Sequence, residues 1–272
     1  MGKLRLDTLL AERGLFPSRS RAAASVMAGE VRVGEHGRRA QKAGEMVDPD
    51  ELIELESAPR FVSRGGIKLA NALASTGLRV AGRRALDIGA STGGFTDCLL
   101  QNGAVEIIAV DVGYGTLDYR LRSDDRVQVL ERTNARTLAP AMLPRSRVTG
   151  SPPLDLAVVD VSFISLAKVL GAVLACLERP FDVLALVKPQ FELGRGRVGK
   201  GGVVRASGDR REALIEAGAE ALALGCTVRS YHSSGLPGPK GNRETFVWLS
   251  GSESAGARVR EELEPLARKV EP

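Results

Sequence analysis

From residue 60 to residue 250, short apolar runs alternate with longer amphipathic stretches. Arg84-Ala-Leu-Asp-Ile-Gly-Ala-Ser-Thr-Gly-Gly-Phe-Thr-Asp97 is the most ordered of these passages. An apolar run ends in Asp87, breaks into small residues, and restarts as an amphipathic segment from Thr92 to Leu100. That pattern predicts a buried strand, a tight glycine-rich turn and the start of a helix, as in the first βα unit of an open parallel sheet. Further strands are expected at Glu106–Asp111, Val127–Leu130, Leu154–Asp160, Phe181–Lys188, Thr227–Tyr231 and Glu244–Leu249. Helices are expected at Ile67–Leu78, Ser165–Leu177 and Asp209–Leu224, and a loop at Ser233–Arg243. Strands alternating with helices predict an α/β, Rossmann-like, seven-stranded and mostly parallel sheet.

Residues 4–59 follow a different rhythm. Leu6, Leu9, Leu10 and Gly14 read as a short helix with a glycine stop, and Ser18 precedes a second helix carrying Arg19 and Arg21. Gly29–Gly34 reads as a turn into a strand, and Glu51–Glu56 alternates as another. The expected organisation is a small α+β domain at 1–59, a linker at 60–64, the large domain at 65–250 and a charged tail at 251–272. Residues 190–208, rich in glycine and basic side chains, read as a mobile basic loop that cannot pack.

Composition narrows the classes. A 272-residue chain that is 43% apolar can build one large core and a small one, and at 4% aromatic its core must be mostly aliphatic. Cys98, Cys176 and Cys226 lie far apart without Cys-x-x-Cys spacing, which argues against a disulfide frame or a zinc site. His36 and His232 are too isolated for a metal centre. The N-terminus lacks an apolar signal core, Leu6 stands where a myristoylation signal needs Ser or Thr, and Val169–Leu177 is too short to span a bilayer. An intracellular, cytoplasmic protein without membrane or metal is expected, with a monomer favoured. The net charge of +5 suits an anionic partner such as nucleic acid. Charge is also segregated: residues 1–42 hold nine Lys/Arg against four acids, and residues 43–59 hold six acids and no Lys or Arg. One basic face on a near-neutral domain is the footprint of a phosphate backbone, although a solvated helix face gives the same pattern.

Candidate chemistry gathers at the ends of strands. The spacing Gly89-x-x-x-Gly93-Gly94 departs from the dinucleotide pattern, whose glycines receive a pyrophosphate. With Asp111 ending the next strand, where a ribose acid belongs, it suits S-adenosylmethionine better, while a nicotinamide cofactor stays open. Glycines in such a turn let a ligand approach the backbone. Asp111, Asp160 and Lys188 end strands, and Lys68 and Glu244 reach the same rim from neighbouring elements. A lysine between two carboxylates can steer a hydroxyl lone pair and relay its proton.

Two resemblances extend this. Arg5-x-Asp7, Leu10, Gly14-Leu15, Ser18-Arg19, Ala22, Gly29 and Val31-x-Val33 resemble the small S-four-like RNA-binding module. Gly34-Glu35 replaces the more usual Asn/Asp-Gly turn. The resemblance implies that the second helix and following strand lie on structured RNA. Ser63-Arg64-Gly65-Gly66-x-Lys68-Leu69, Asp87–Asp97, Asp160-Val-Ser-Phe-Ile-Ser165, Val187-Lys-Pro-Gln-Phe-Glu192 and Gly235-x-x-Gly-x-x-Gly-Asn-x-Glu244 resemble the TlyA (hemolysin A) family, related to the FtsJ-type ribose methyltransferases.

That resemblance implies a class I methyltransferase fold and 2′-O-methylation of cytidine in ribosomal RNA, 16S, 23S or both, with S-adenosylmethionine. The family's K-D-K-E tetrad falls on Lys68, Asp160, Lys188 and Glu244. Its methyl-donor turn falls on Gly89, Ser91 and Gly93, with Asp111 as ribose acid and Asn134-Ala135 near the base. Asp87, Thr92, Gly94, Phe95 and Asp160 complete the expected cofactor set. Arg5, Arg19, Arg21, Arg32, Arg64, Arg195, Arg197 and Lys200 are the cations expected against RNA, and ribosomal subunits the expected partners. The alternative is a non-catalytic RNA-binding assembly protein on a methyltransferase fold.

Overall fold

A computed structural model describes residues 2–27, 29–55, 60–199, 201–251 and 259–271. It divides into two compact units, Met1–Arg60 and Phe61–Pro272.

In the first unit, helices Leu6–Glu12 and Arg19–Met27 pack their apolar faces on short strands. These are β1 (Leu4–Arg5), β2 (Val31–Val33), β3 (Arg38–Arg39), β4 (Met46–Val47) and β5 (Ile53–Leu55). Strands β3, β2 and β5 form one antiparallel sheet, and β1 pairs with β4. Leu6, Leu10, Val26, Val31 and Val47 fill the core between them. Ser18 Oγ accepts from the backbone amide of Arg21 (3.2 Å), so the serine caps the second helix.

The second unit is built on seven strands, β6 (Arg84–Ile88), β7 (Glu106–Val110), β8 (Val127–Leu130), β9 (Leu154–Val159), β10 (Phe181–Val187), β11 (Thr227–Pro237) and β12 (Arg243–Gly251). Their order across the sheet is β11-β12-β10-β9-β6-β7-β8. Pairing is parallel from β10 through β8, and β12 is antiparallel to both neighbours. Successive strand residues feed opposite faces: Leu86 and Ile88 enter one core cluster, Ala85 the other. The result is the doubly wound α/β architecture, its parallel strands apolar on both faces.

Register places the rim. Val159 pairs with both Ile88 and Ala185, so β9 ends beside the turn after β6. Val187 pairs with Thr245, which leaves Lys188 and Glu244 at the same level on adjacent strands.

Several expectations are corrected. Residues 61–64 do not act as a linker: Phe61 is buried in the second unit, Val62 donates to Asp97 Oδ2 (2.8 Å), and a helix starts at Arg64. Residues 56–59, Lys200 and residues 252–258 of the expected tail lie outside the described residues. The segment Ser165–Leu177 is not one helix but a 3-10 turn, Leu166–Lys168, followed by the helix Leu170–Ala175. Strand β11 runs to Pro237 through irregular pairing, which shortens the expected loop at Ser233–Arg243. The tail is not merely charged: Leu263 and Ala267, both at 0% exposure, dock a helix, Leu263–Arg268, against the main core. The basic loop also packs, because Leu193, Val204 and Ala213 form a small apolar cluster beneath it.

Candidate active site

The turn after β6 is held by close contacts. Gly89 has φ +84°, and a Cβ there would fall 2.4 Å from the Asp160 carbonyl oxygen. A Cβ at Gly93 would strike Leu121, and one at Gly94 would strike Ser63. These glycines therefore admit neighbouring protein closely, and Gly89 and Gly94 also line the cavities described below. Behind the turn, Asp87 is fully buried and accepts from Thr96 Oγ1 (2.6 Å), while its Oδ1 has no hydrogen-bond partner. Burial, with Asp160 and Asp111 nearby adding to it, pushes this carboxyl up to about 7, and the Thr96 hydroxyl only partly offsets the rise. Asp87 thus supports the turn from beneath.

One cavity of about 490 Å³ opens beyond β6, β7 and β9. Gly89, Ser91, Asp111, Asn134, Ala135 and Asp160 line it, all expected cofactor residues. The backbone amides of Ser91 (2.8 Å) and Gly113 (2.6 Å) donate to the two Asp111 oxygens and fix the carboxylate. Each oxygen has a second lone pair, so an oriented diol can still be received. Asn134 Oδ1 accepts from the Arg136 amide (3.0 Å) and starts a 3-10 turn whose first residue is Ala135. Val112, Ile164 and Val169 give the remaining wall an apolar surface suited to a base.

A second cavity, of about 550 Å³, holds Lys68, Asp160, Lys188 and Glu244 together. The helix Arg64–Thr76 carries Lys68, and Asn71 Nδ2 ties that helix to β11 through the Ser234 carbonyl (3.0 Å). Lys68 Nζ donates to Glu244 Oε2 at 2.5 Å, with both residues buried. Lys188 Nζ lies 2.7 Å from Asp160 Oδ1 and donates to Ser162 Oγ (2.7 Å). The approach to Asp160 is an ion pair by distance, and Oδ1, which is buried, makes no hydrogen bond. The lysines are thus paired separately, instead of one lysine standing between two carboxylates.

The two cavities share Gly89, Ser91, Asp160, Ser162 and Phe163 as a common wall. A third, of about 330 Å³, is lined by Arg64, Thr92, Gly94 and Phe95 beside Lys68 and Asp160. Sequence reasoning did not single out Ser162 and Phe163, although both lie in the stretch that follows Asp160. Phe163 is 90% exposed, has φ +65°, and lies 5.3 Å from the Phe191 ring.

In the first unit, Arg5 forks onto Asp7 (3.1 and 2.7 Å), and Arg19 lies 3.7 Å from the same carboxylate. The Arg5 guanidinium holds the Asp7 carboxyl below its usual range. Arg21 is exposed, and Arg32 donates to the Gly37 carbonyl (2.8 Å). In the second unit, Arg64 is exposed and Arg197 lies 3.8 Å from Asp209. Arg195 is in a 3-10 turn, and nothing is described of its side chain. Cys98, Cys176 and Cys226 are buried free thiols, and among the described residues no His, Cys, Asp or Glu cluster is placed to hold a metal.

The FtsJ-like methyltransferase model matches residues 61–251, and the S4 domain model matches residues 4–53. A Mycobacterium tuberculosis protein named 16S/23S rRNA (cytidine-2′-O)-methyltransferase TlyA is 46% identical over 249 residues, 91% of this chain and 90% of its own. Hemolysin A of Brachyspira hyodysenteriae is 36% identical over 89% of this chain and 97% of its own. This chain belongs to the TlyA (hemolysin A) family of FtsJ-like methyltransferases. A solved structure from Streptococcus thermophilus that bears the name hemolysin superposes with a TM-score of 0.71 at 40% identity, covering 99% of this chain and 96% of that one. As a TlyA-family member the chain uses S-adenosylmethionine, and the 490 Å³ cavity fits that cofactor. Carboxylates of Asp111 and Asp160 line it; they would repel a pyrophosphate but suit a cationic sulfonium and its ammonium.

Proposed function

We propose that the protein transfers a methyl group from S-adenosylmethionine to the ribose 2′-oxygen of cytidine in ribosomal RNA. One observation carries this: Lys68, Asp160, Lys188 and Glu244 line one cavity, and Asp160 also walls the cavity that fits the cofactor. When bound, S-adenosylmethionine supplies an electrophilic methyl on a sulfonium. Gly89, Ser91 and Asp111 would hold its amino acid and ribose ends, and Asn134 and Ala135 its base.

The residues of the second cavity prepare the acceptor. A ribose hydroxyl entering beside Asp160 and Lys188 can donate to the Asp160 carboxylate while the Lys188 ammonium faces its oxygen. That directs an oxygen lone pair toward the shared wall, where the methyl arrives. As the oxygen–carbon bond forms and the carbon–sulfur bond breaks, the hydroxyl proton passes to the Asp160–Lys188 pair. The buried Lys68–Glu244 pair lines the same cavity. Orientation of this kind is worth up to about 7–11 kcal/mol, and proton transfer a further 10²–10⁴-fold.

We further assign residues 1–59 to RNA binding, with Arg5, Arg19, Arg21 and Arg32 toward the phosphates, and assign Arg64, Arg195, Arg197 and Lys200 of the second unit as further cations for RNA. The name of the Mycobacterium tuberculosis relative, covering both 16S and 23S rRNA, supports substrates in both subunits. The activity would reside in the cytoplasm, with the ribosomes. No helix among the described residues is long and apolar enough to cross a membrane. The test is transfer of labelled methyl to small subunits, large subunits and intact ribosomes. Label on isolated subunits that survives alkaline hydrolysis as a 2′-O-methylated dinucleotide supports the reading. Label on a base, or on protein, contradicts it.

A further inference from the structure

The glycine-rich segment after β10 closes one side of the acceptor cavity, since Val198 and Gly202 line it with the four charged residues. Five glycines between 194 and 202 would leave such a wall floppy unless something anchors it. The anchor is a side chain on the opposite turn. Asn242 is 2% exposed, its Oδ1 accepts from the Val204 amide (2.8 Å), and its Nδ2 donates to the Gly202 carbonyl (2.8 Å). Both ends of the amide are therefore spent on the backbone of one segment.

The same residue organises Glu244. The Asn242 carbonyl accepts from the Gly238 amide (2.8 Å) and closes the turn between β11 and β12. Gly238 in turn packs directly on Glu244: a Cβ there would fall 2.2 Å from Glu244 Oε1. Two residues along a chain that is already extending, Asn242 and Glu244 share a side. From behind, Arg210, 8% exposed, donates to the carbonyls of Val204 (3.4 Å) and Arg205 (2.5 Å) and pairs with buried Glu271 (2.7 Å). The segment is thus gripped at Gly202–Arg205 from two directions.

We propose that Asn242 is a positioning residue: its amide latches the wall of the acceptor cavity to the turn that sets Glu244, and so keeps the Lys68–Glu244 pair aligned. What it positions rests on the methyltransferase function above; the latch itself does not. Losing both bonds frees the segment and loosens Glu244 together, and a displacement of about 1 Å at such a site costs on the order of 10²-fold in rate.

Asn242→Ala and Asn242→Asp test this by two readouts. Trypsin has sites at Arg197 and Arg205 among the described residues of the segment. We expect the wild type to resist cutting there and Asn242→Ala to be cut faster by about tenfold or more, with kcat for methyl transfer down about 10²-fold. S-adenosylmethionine affinity should stay within about twofold, because Asn242 does not line its cavity. Asn242→Asp discriminates a latch from simple loss of stability. As a carboxylate it faces the Gly202 carbonyl without a donor; once protonated it has both a donor and an acceptor. Its kcat relative to wild type should therefore rise as pH falls from about 8.5 to about 6. Equal trypsin rates in wild type and Asn242→Ala would overturn the latch. A kcat ratio for Asn242→Asp that is flat with pH would overturn the role of the amide. A wild type that transfers no methyl would instead sink the functional reading, and the digestion rates would still decide the latch.

Discussion

Lys68 and Glu244 stand 176 positions apart in the chain, and their charged groups meet at 2.5 Å in the interior. Helix Arg64–Thr76 brings one and the start of strand β12 the other. Breaking a buried pair strands a charge, at a cost of about 3–5 kcal/mol. We therefore expect Glu244→Leu and Lys68→Met each to lower the unfolding temperature sharply and to abolish transfer. The double variant should recover much of the stability and none of the activity. Thermal melts of all four proteins measure the coupling, and strictly additive losses would show that the pair does not act as a unit.

Asp87 gives a pH dependence of stability. Its folded-state value, about 7, lies above the ordinary 3.8. The folded protein thus keeps this proton longer than the unfolded chain does, and the group's contribution to stability falls as pH rises from about 4 to about 7. The full effect is on the order of 4 kcal/mol. Asp87→Asn cannot ionise and retains an acceptor for Thr96. Calorimetric melts should find the variant gaining on wild type as pH rises through that window, and a difference unchanged between pH 5 and 8 would refute the assignment.

Gly89→Ala combines a positive φ with a Cβ driven into the Asp160 carbonyl. Strain at such a residue costs about 1–3 kcal/mol, and the clash separates β6 from the end of β9. Isothermal titration should register a loss of S-adenosylmethionine affinity of about tenfold or more. Wild-type affinity in a folded variant would mean that the close approach is unimportant.

Arg19 approaches Asp7 at 3.7 Å but leaves its side chain 59% exposed. That is the posture of a cation available to a phosphate. Arg19→Ala is expected to weaken RNA binding and to flatten the plot of log affinity against log salt by about one. Filter binding across a salt series reads the slope, and an unchanged slope would remove Arg19 from the interface.

Local chemistry made much of this legible in the sequence. Strands that end in Asp111, Asp160 and Lys188 announce a rim, and the turn from Gly89 to Gly94 announces its first βα unit. What stayed hidden is tertiary. Nothing in the order of residues says that Lys68 pairs with Glu244 and Lys188 with Asp160, because the first depends on where helix Arg64–Thr76 docks and the second on the parallel pairing of β9 with β10. The glycine-rich segment looked unpackable because Leu193 and Val204 are isolated in sequence, and they meet Ala213 only after folding. The tail looked merely charged because Leu263 and Ala267 are too sparse to stand out, yet they bury completely while Glu271 pairs with Arg210. The close approach of Asp160, Leu121 and Ser63 to the glycines of this turn is likewise set by tertiary packing.

Lys188 is the most direct test of the whole account, since it touches Asp160 and Ser162 at the wall shared by both cavities. The measurement is transfer of labelled methyl from S-adenosylmethionine to isolated ribosomal subunits by wild type and Lys188→Ala, with cofactor affinity and melting temperature taken alongside. The account predicts alkali-resistant label with wild type, and a loss of at least about 10²-fold in Lys188→Ala with the fold and cofactor binding retained. Near wild-type turnover by a folded Lys188→Ala protein would contradict it.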